Sequence, residues 1–172
     1  MTIHHPLASY VENVPDFPKP GILFRDISPL LSTKFPETVE ALAQLFTEDE
    51  LTHIDGFAGV DSRGFIFASA LATRLNKQFI MPRKGGKLPP PYKEASYDLE
   101  YGTATLQMKP GSGNIIIIDD VLATGGTLNA AIQLCQDAGY SVKGFAVLIN
   151  LAFLNNFEWN GLRPRAVITY DS

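Results

Sequence analysis

The stretch I-I-I-I-D-D-V-L-A-T-G-G-T, Ile115 to Thr127, decides how the chain is read. Four consecutive β-branched apolar residues, Ile115 to Ile118, show no polar alternation, which suits a strand buried on both faces of a parallel sheet covered by helices. Asp119 and Asp120 then fall at the carboxyl end of that strand. In open α/β sheets ligands bind at that edge, and here the small-residue loop Ala123-Thr124-Gly125-Gly126-Thr127 leads directly into a helical pattern from Leu128 to Ala138.

Gly125 and Gly126 allow the backbone close to a ligand, where unpaired N–H groups and the helix dipole favour an anion. Thr124 and Thr127 add hydroxyl donors. A Walker loop needs a Lys before its last Thr, and a dinucleotide fingerprint needs G-x-G-x-x-G with an acid downstream; neither pattern is present. The acids instead precede the loop. That order places two carboxylates, able to accept from two ribose hydroxyls, beside a sugar whose 5'-phosphate sits in the loop. The arrangement describes a phosphoribosyl group.

With 172 residues and 45% hydrophobic content, the chain has enough material for one sizeable core, and a single domain over 1–172 is expected. The net charge of -4 argues against a nucleic-acid surface, so anion binding must come from local N–H groups and a few placed cations. The lone cysteine, Cys135, shares a helical face with Leu128, Ala131 and Ile132, which predicts burial rather than a catalytic thiol. The start M-T-I-H-H-P has no basic region followed by an apolar one, and no apolar run reaches membrane-spanning length. A cytoplasmic protein without a membrane partner is expected. His4 and His5 lack a third ligand and are read as a mobile terminus rather than a metal site.

Along the chain, Leu7 to Asn13 reads as a short helix, and Pro15, Pro18 and Pro20 then enforce an extended path. In G-I-L-F-R-D-I-S-P-L-L, Gly21 to Leu31, the pair Arg25-Asp26 is either a structural ion pair or part of a site in which Leu23 and Phe24 wall a flat ring. A covering helix is expected from Pro36 to about Thr47. Ile54 to Val60 is a second strand, turning through Asp61-Ser62-Arg63-Gly64 into a helix from Phe65 to Leu75. Arg63 there either caps a carboxylate or offers a guanidinium fork to a second phosphate group.

After a short strand, Phe79 to Met81, the segment R-K-G-G-K-L-P-P-P-Y-K-E-A-S, Arg83 to Ser96, reads as a long exposed basic loop, a candidate flexible lid over an anionic ligand. Two antiparallel strands turning near Gly102 follow, with Glu100 close to the turn. Lys109 to Asn114 is a turn cluster. Val142 to Leu151 and Ala166 to Tyr170 are the last strands, separated by an irregular stretch from Phe153 to Gly161. Alternation of strands and helices predicts an α/β fold with a mainly parallel central sheet flanked by helices.

The run from Ile115 to Thr127 resembles the signature of the type I phosphoribosyltransferases. The resemblance widens through F-P-K-P-G-I-L-F-R-D-I-S-P, G-V-D-S-R-G-F, R-K-G-G-K-L-P and A-S-Y-D-L-E-Y-G, which are similar to the adenine-using branch of that family and run in the same order. It implies transfer of a 5-phosphoribosyl group from phosphoribosyl diphosphate to adenine, giving AMP and pyrophosphate, with magnesium and as a homodimer. Position by position it implies that Leu23, Phe24 and Arg25 surround the base, with backbone near Arg25 reading its edge. Arg63, Arg83, Lys84 and Lys87 would hold the pyrophosphate, the loop cations on their own or the partner subunit's site. Asp119 and Asp120 would hold the ribose, Ala123, Thr124, Gly125, Gly126 and Thr127 would cradle the 5'-phosphate, and Val121 between them would be substrate-binding. Glu100 and Tyr101 would arrive with the closing loop, with Glu100 and Arg63 as the catalytic residues. No direct protein ligand set for magnesium is identified; the ion would come with the pyrophosphate and ribose, Asp119 and Asp120 being the candidate contacts. The short connection from Met108 to Asn114 and the segment after Leu151 match the family only loosely.

Other activities are weighed on single residues. A 6-oxopurine transferase would place an acid where this chain has Ala123. A purine-responsive nucleotide-binding regulator on the same fold would need an added DNA-binding module, for which this acidic chain has little room. A nucleotide kinase would need the missing P-loop Lys.

Overall fold

The structure, a computed structural model, describes residues 5–98 and 102–172. Ten strands occur among them: β1 Glu12–Pro15, β2 Leu23–Asp26, β3 Gly56–Gly59, β4 Gln78–Ile80, β5 Arg83–Lys84, β6 Lys93–Asp98, β7 Thr103–Met108, β8 Gly113–Leu122, β9 Tyr140–Leu151 and β10 Arg165–Tyr170. The α-helices are α1 Ser28–Ala43, α2 Glu48–Thr52, α3 Arg63–Leu75 and α4 Gly126–Asp137. Five strands form the central sheet in the order β10-β9-β8-β3-β4, every neighbouring pair parallel.

The isoleucine run shows why β8 takes the centre. Ile116 and Ile118 pack with Leu42, Phe67 and Leu71 on the face covered by α1 and α3. Ile115 and Ile117 pack with Leu106, Ile132 and Leu134 on the face covered by α4 and β7. Successive side chains of a strand point to opposite faces, so four apolar residues in a row require both faces to be covered, and all four are at most 3% exposed. Removing a ring such as Phe67, 0% exposed, would cost about 3–5 kcal/mol. Cys135 lies in the second cluster, where burial pushes its thiol up to about 12.

The sheet order creates the site. From β3 the chain crosses through α3 to β4 on one side, while from β8 it crosses through α4 to β9 on the other. The carboxyl ends of β3 and β8 therefore flank a topological switch point, the place where open α/β sheets open a crevice. The register adds depth. Ile118 is paired to Gly59, the last residue of β3, but β8 continues beside β9 to Leu122, so Asp119 and Asp120 stand past the end of β3. These acids lie within an extended strand, not after it.

Other expectations are corrected. The segment from Arg83 to Ser96 is not wholly a loop: β5 and β6 flank β7 in an antiparallel three-stranded sheet, and β6 pairs β7 from Lys93↔Met108 to Asp98↔Thr103. Gln107 explains this. Its buried side chain accepts from Gly86 N at 3.0 Å and donates to Glu94 Oε2 at 2.6 Å, tying both flanks to β7. The predicted helix at Leu7 is a 3-10 turn, Pro6–Tyr10, and Asn13 belongs to β1, which pairs with β2. Helix α1 begins at Ser28, eight residues before Pro36, with Lys34 out of helical conformation where Pro36 withdraws a donor. Thr47 does not end it; it caps α2 in a box with Glu50. Arg25 and Asp26 are not an ion pair with each other: Asp26 Oδ1 accepts from Ser28 N at 2.9 Å and Ser28 Oγ at 2.6 Å, at the start of α1. Ala152–Leu154 forms a 3-10 turn that overlaps the start of the stretch expected to be irregular.

Candidate active site

The loop after β8 is built from backbone. Gly125 has φ +94 and caps α4 with no side-chain hydrogen bond, so the first N–H groups of the helix are left to face outward. A Cβ on Gly125 would lie 2.5 Å from Phe157 Cδ2, whereas one on Gly126 would meet nothing within 4 Å. Gly125 is thus held by conformation and packing, and Gly126 opens onto free space. A cavity of about 100 Å³ is lined by Ala123 to Leu128 together with Asp119, Val121, Leu122 and Val147. It brings Asp119, Val121, Ala123, Thr124, Gly125, Gly126 and Thr127 together.

The turn after β3 is close behind. A Cβ on Gly64 would stand 2.9 Å from Ile118 O and 3.1 Å from Asp119 Oδ1, so glycine there lets the first turn of α3 press on β8 beside the acids. Arg63, next to it, reaches Asp120: Nε lies 2.8 Å from Oδ2 as an ion pair, without the alignment of a hydrogen bond. Asp120 is 5% exposed. Burial, then the neighbouring Asp120 carboxylate, pushes the Asp119 carboxyl well above the usual carboxylate range, and Asp120 N donates to Asp119 Oδ1 at 2.8 Å. Two adjacent acids facing one guanidinium invite further positive charge.

Asp61, which the sequence marks only as part of a turn, gathers cations of the basic segment. Its side chain is 4% exposed, and Oδ2 accepts from Arg83 Nε at 3.3 Å and from Lys84 N at 3.2 Å, with Lys87 Nζ at 3.8 Å. Arg63, Arg83 and Lys87 are therefore paired with two acids at the ends of β3 and β8, and Lys84 joins them through its main-chain N–H. The signal in the sequence was the acid preceding Arg63 in the turn. Its partners, 22 or more residues on, carried no local mark.

The β1–β2 hairpin forms the remaining wall. Phe24 packs edge-on against Phe17 at 5.2 Å between ring centroids, and the Arg63 guanidinium stands 5.8 Å from the Phe24 ring. Leu23 is 47% exposed on the same strand. The Arg25 side chain is not brought to the phosphate loop: it lies 4.0 Å from the Tyr170 ring and donates to Asn13 Oδ1. Glu100 and Tyr101 lie outside the described residues. Among the described residues no group of three or more His, Cys, Asp or Glu is placed to hold a metal, and no helix is long and apolar enough to cross a membrane.

With this geometry in hand, comparison with known proteins is direct. The phosphoribosyl transferase domain family matches residues 34–152. Adenine phosphoribosyltransferase of Bdellovibrio bacteriovorus is 53% identical over 95% of this chain and 99% of its own length. That of Hydrogenovibrio crunogenus is 52% identical over 97% and 98%. Among solved structures, adenine phosphoribosyltransferase of Rhodothermus marinus superposes with a TM-score of 0.80 at 40% identity, covering 95% of this chain and 96% of that one. The Saccharomyces cerevisiae enzyme, solved with an imino-altritol bisphosphate and adenine, gives 0.81 at 32% identity over 93% and 94%. The strand-acids-loop order, the switch-point crevice and these relatives agree, and the chain belongs to the phosphoribosyl transferase family, in its adenine phosphoribosyltransferase branch.

Proposed function

We propose that this chain transfers the 5-phosphoribosyl group of phosphoribosyl diphosphate to adenine, giving AMP and pyrophosphate in purine salvage. The observation that carries the proposal is the switch-point crevice: the backbone loop from Ala123 to Thr127 follows β8, and the cations paired with Asp61 and Asp120 lie at the carboxyl ends of β3 and β8. One end suits a 5'-phosphate and the other a diphosphate, with two acids between them for a ribose.

In the reaction the bond from the anomeric carbon to the diphosphate oxygen breaks, a bond to an imidazole nitrogen of adenine forms, and the proton on that nitrogen leaves. In this reading the loop N–H groups, Thr124 and Thr127 hold the 5'-phosphate, and Asp119 and Asp120 accept from the ribose hydroxyls beside Val121. Arg63, Arg83 and Lys87, arranged by Asp120 and Asp61, receive the leaving diphosphate together with Lys84 and stabilise its developing charge. Leu23, Phe24 and the backbone near Arg25 hold the base. Glu100 receives its proton, and Tyr101 with the β6–β7 connection helps to exclude water.

The acids also bear on the cation. Asp119 and Asp120 form a hard oxygen pair with a single guanidinium against Asp120 Oδ2, and these two carboxylates would be the ones to hold magnesium. When bound, magnesium supplies charge neutralisation on the diphosphate. The same reading includes one domain over 1–172, a cytoplasmic homodimer, and no nucleic-acid or membrane partner.

A base panel tests the proposal. With phosphoribosyl diphosphate, adenine is expected to release pyrophosphate and hypoxanthine, guanine and orotate are not; hypoxanthine or guanine as the best substrate would reject it. Glu100→Gln is expected to lower kcat by roughly ten- to a thousandfold with KM changed far less, read by single-turnover kinetics. Near-full single-turnover rates would withdraw Glu100 from catalysis.

A further inference from the structure

The stretch after β9, which sequence patterning leaves irregular and which matches the family only loosely, reaches back to the phosphate loop through one side chain. Asn155 Nδ2 donates to Ala123 O at 2.8 Å, to Leu151 O at 3.0 Å and to Asn150 Oδ1 at 3.1 Å. Its Oδ1 accepts from Phe157 N at 3.1 Å. The amide orientation follows from the chemistry: turned over, its oxygen would face three acceptors and its nitrogen a backbone donor.

These bonds join three things that the chain separates. Ala123 O belongs to the first residue of the loop, and Leu151 and Asn150 end the neighbouring strand. Phe157, whose ring packs edge-on against Phe145 at 5.5 Å, occupies the space that a Cβ on Gly125 would need. The loop is thus gripped twice, at the carbonyl before its glycines and at the left-handed glycine itself. Its helix offers no capping side chain, so the direction of its free N–H groups depends on what grips the loop from outside.

We propose that Asn155 is a positioning residue for the phosphate loop: it fixes the Ala123 carbonyl and seats Phe157 against Gly125, so that the loop's N–H groups converge on the 5'-phosphate before the ligand arrives. The proposal rests on the reading of Ala123 to Thr127 as the 5'-phosphate cradle. A loop that is already ordered loses less conformational freedom on binding, and the gain appears in ligands that carry the 5'-phosphate. Asn155 itself touches no reacting atom.

The test compares Asn155→Ala with Gly126→Val and wild type, using AMP by calorimetry and steady-state kinetics in both substrates. In Asn155→Ala the AMP dissociation constant and the KM for phosphoribosyl diphosphate are each expected to rise about tenfold, the worth of one well-placed hydrogen bond, with adenine KM held within about twofold. A merely structural Asn155 would lower the thermal midpoint and the active fraction while leaving both KM values in place, and that result overturns the proposal. Unchanged AMP affinity in folded Asn155→Ala, with AMP weakened in Gly126→Val, overturns the proposal while leaving the cradle. Unchanged AMP affinity in both variants removes the cradle and the proposal with it. Should Asn155→Ala not fold, Asn155→Ser retains a short donor and is expected to show the same selective rise, smaller in size.

Discussion

The two turns that face the crevice are made of different material. After β8 the loop from Ala123 to Thr127 is a backbone device, shaped by φ +94 at Gly125 and by the uncapped start of α4. After β3 the turn is a side-chain device, in which Asp61 holds Arg83 and Lys87 and Arg63 reaches across to Asp120 of β8. A backbone device presents directional donors at a fixed place and suits a group that stays bound through the reaction. A cluster of cations arranged by buried carboxylates suits a group that arrives and leaves.

The sharpest way to break this contrast is at the two glycines. Gly125→Val must hold a β-branched residue at positive φ and push Phe157 aside, with an expected loss of about 2–5 kcal/mol in denaturant unfolding from strain and overpacking together. A Cβ at Gly126 has nothing within 4 Å, so the fold of Gly126→Val is expected to survive and its AMP affinity to fall sharply. Equal stability losses in the two variants would erase the distinction between the glycine that shapes the loop and the glycine proposed to admit the ligand.

A smaller effect is expected at the other turn. Asp61→Asn removes the charge that collects Arg83 and Lys87, and the KM for phosphoribosyl diphosphate is expected to rise about ten- to a hundredfold as a hydrogen-bonded buried charge is lost. AMP, which lacks the diphosphate, should bind as before. A fall in that KM would mean that Asp61 competes with the ligand rather than arranging its receptors.

The smallest effect belongs to a charge pair far from both turns. Arg165, at the amino end of β10, holds Glu50 of α2, and chiefly the hydrogen bond from Arg165 lowers the Glu50 carboxyl to about 2. Both side chains are more than a third exposed, so solvent screening limits the pair to less than about 1 kcal/mol. Its sign is set by linkage. A carboxyl whose folded value lies below its ordinary 4.5 contributes fully above that pH, and the contribution is lost as pH falls toward 2. The stability difference between wild type and Glu50→Gln, followed by urea unfolding, is therefore expected to stay flat above about pH 5 and shrink below it.

These regions also differ in how far they could be read without coordinates. Ile115 to Thr127 carries its whole meaning locally: β-branched residues demand burial, acids end the buried run, and glycines before a helix leave donors free. From those thirteen residues followed a parallel α/β sheet and a glycine loop at its edge. The proline- and glycine-rich segment from Arg83 to Ser96 misled in the opposite way. Composition there indicated a loop, while Gln107, a partner on another strand, draws its ends into a sheet.

By itself the sequence determined the buried central strand, the order of acids and loop, and the alternation of strands and helices, because each rests on interactions within a few residues or on the period of a single strand. Only the tertiary structure decided that β3 and β8 lie side by side, that Arg63 meets Asp120, that Asp61 gathers Arg83 and Lys87, and that Asn155 grips Ala123. Each of these joins residues at least 22 positions apart, and no propensity or spacing records which distant donor a carboxylate or an amide will meet once the core has closed.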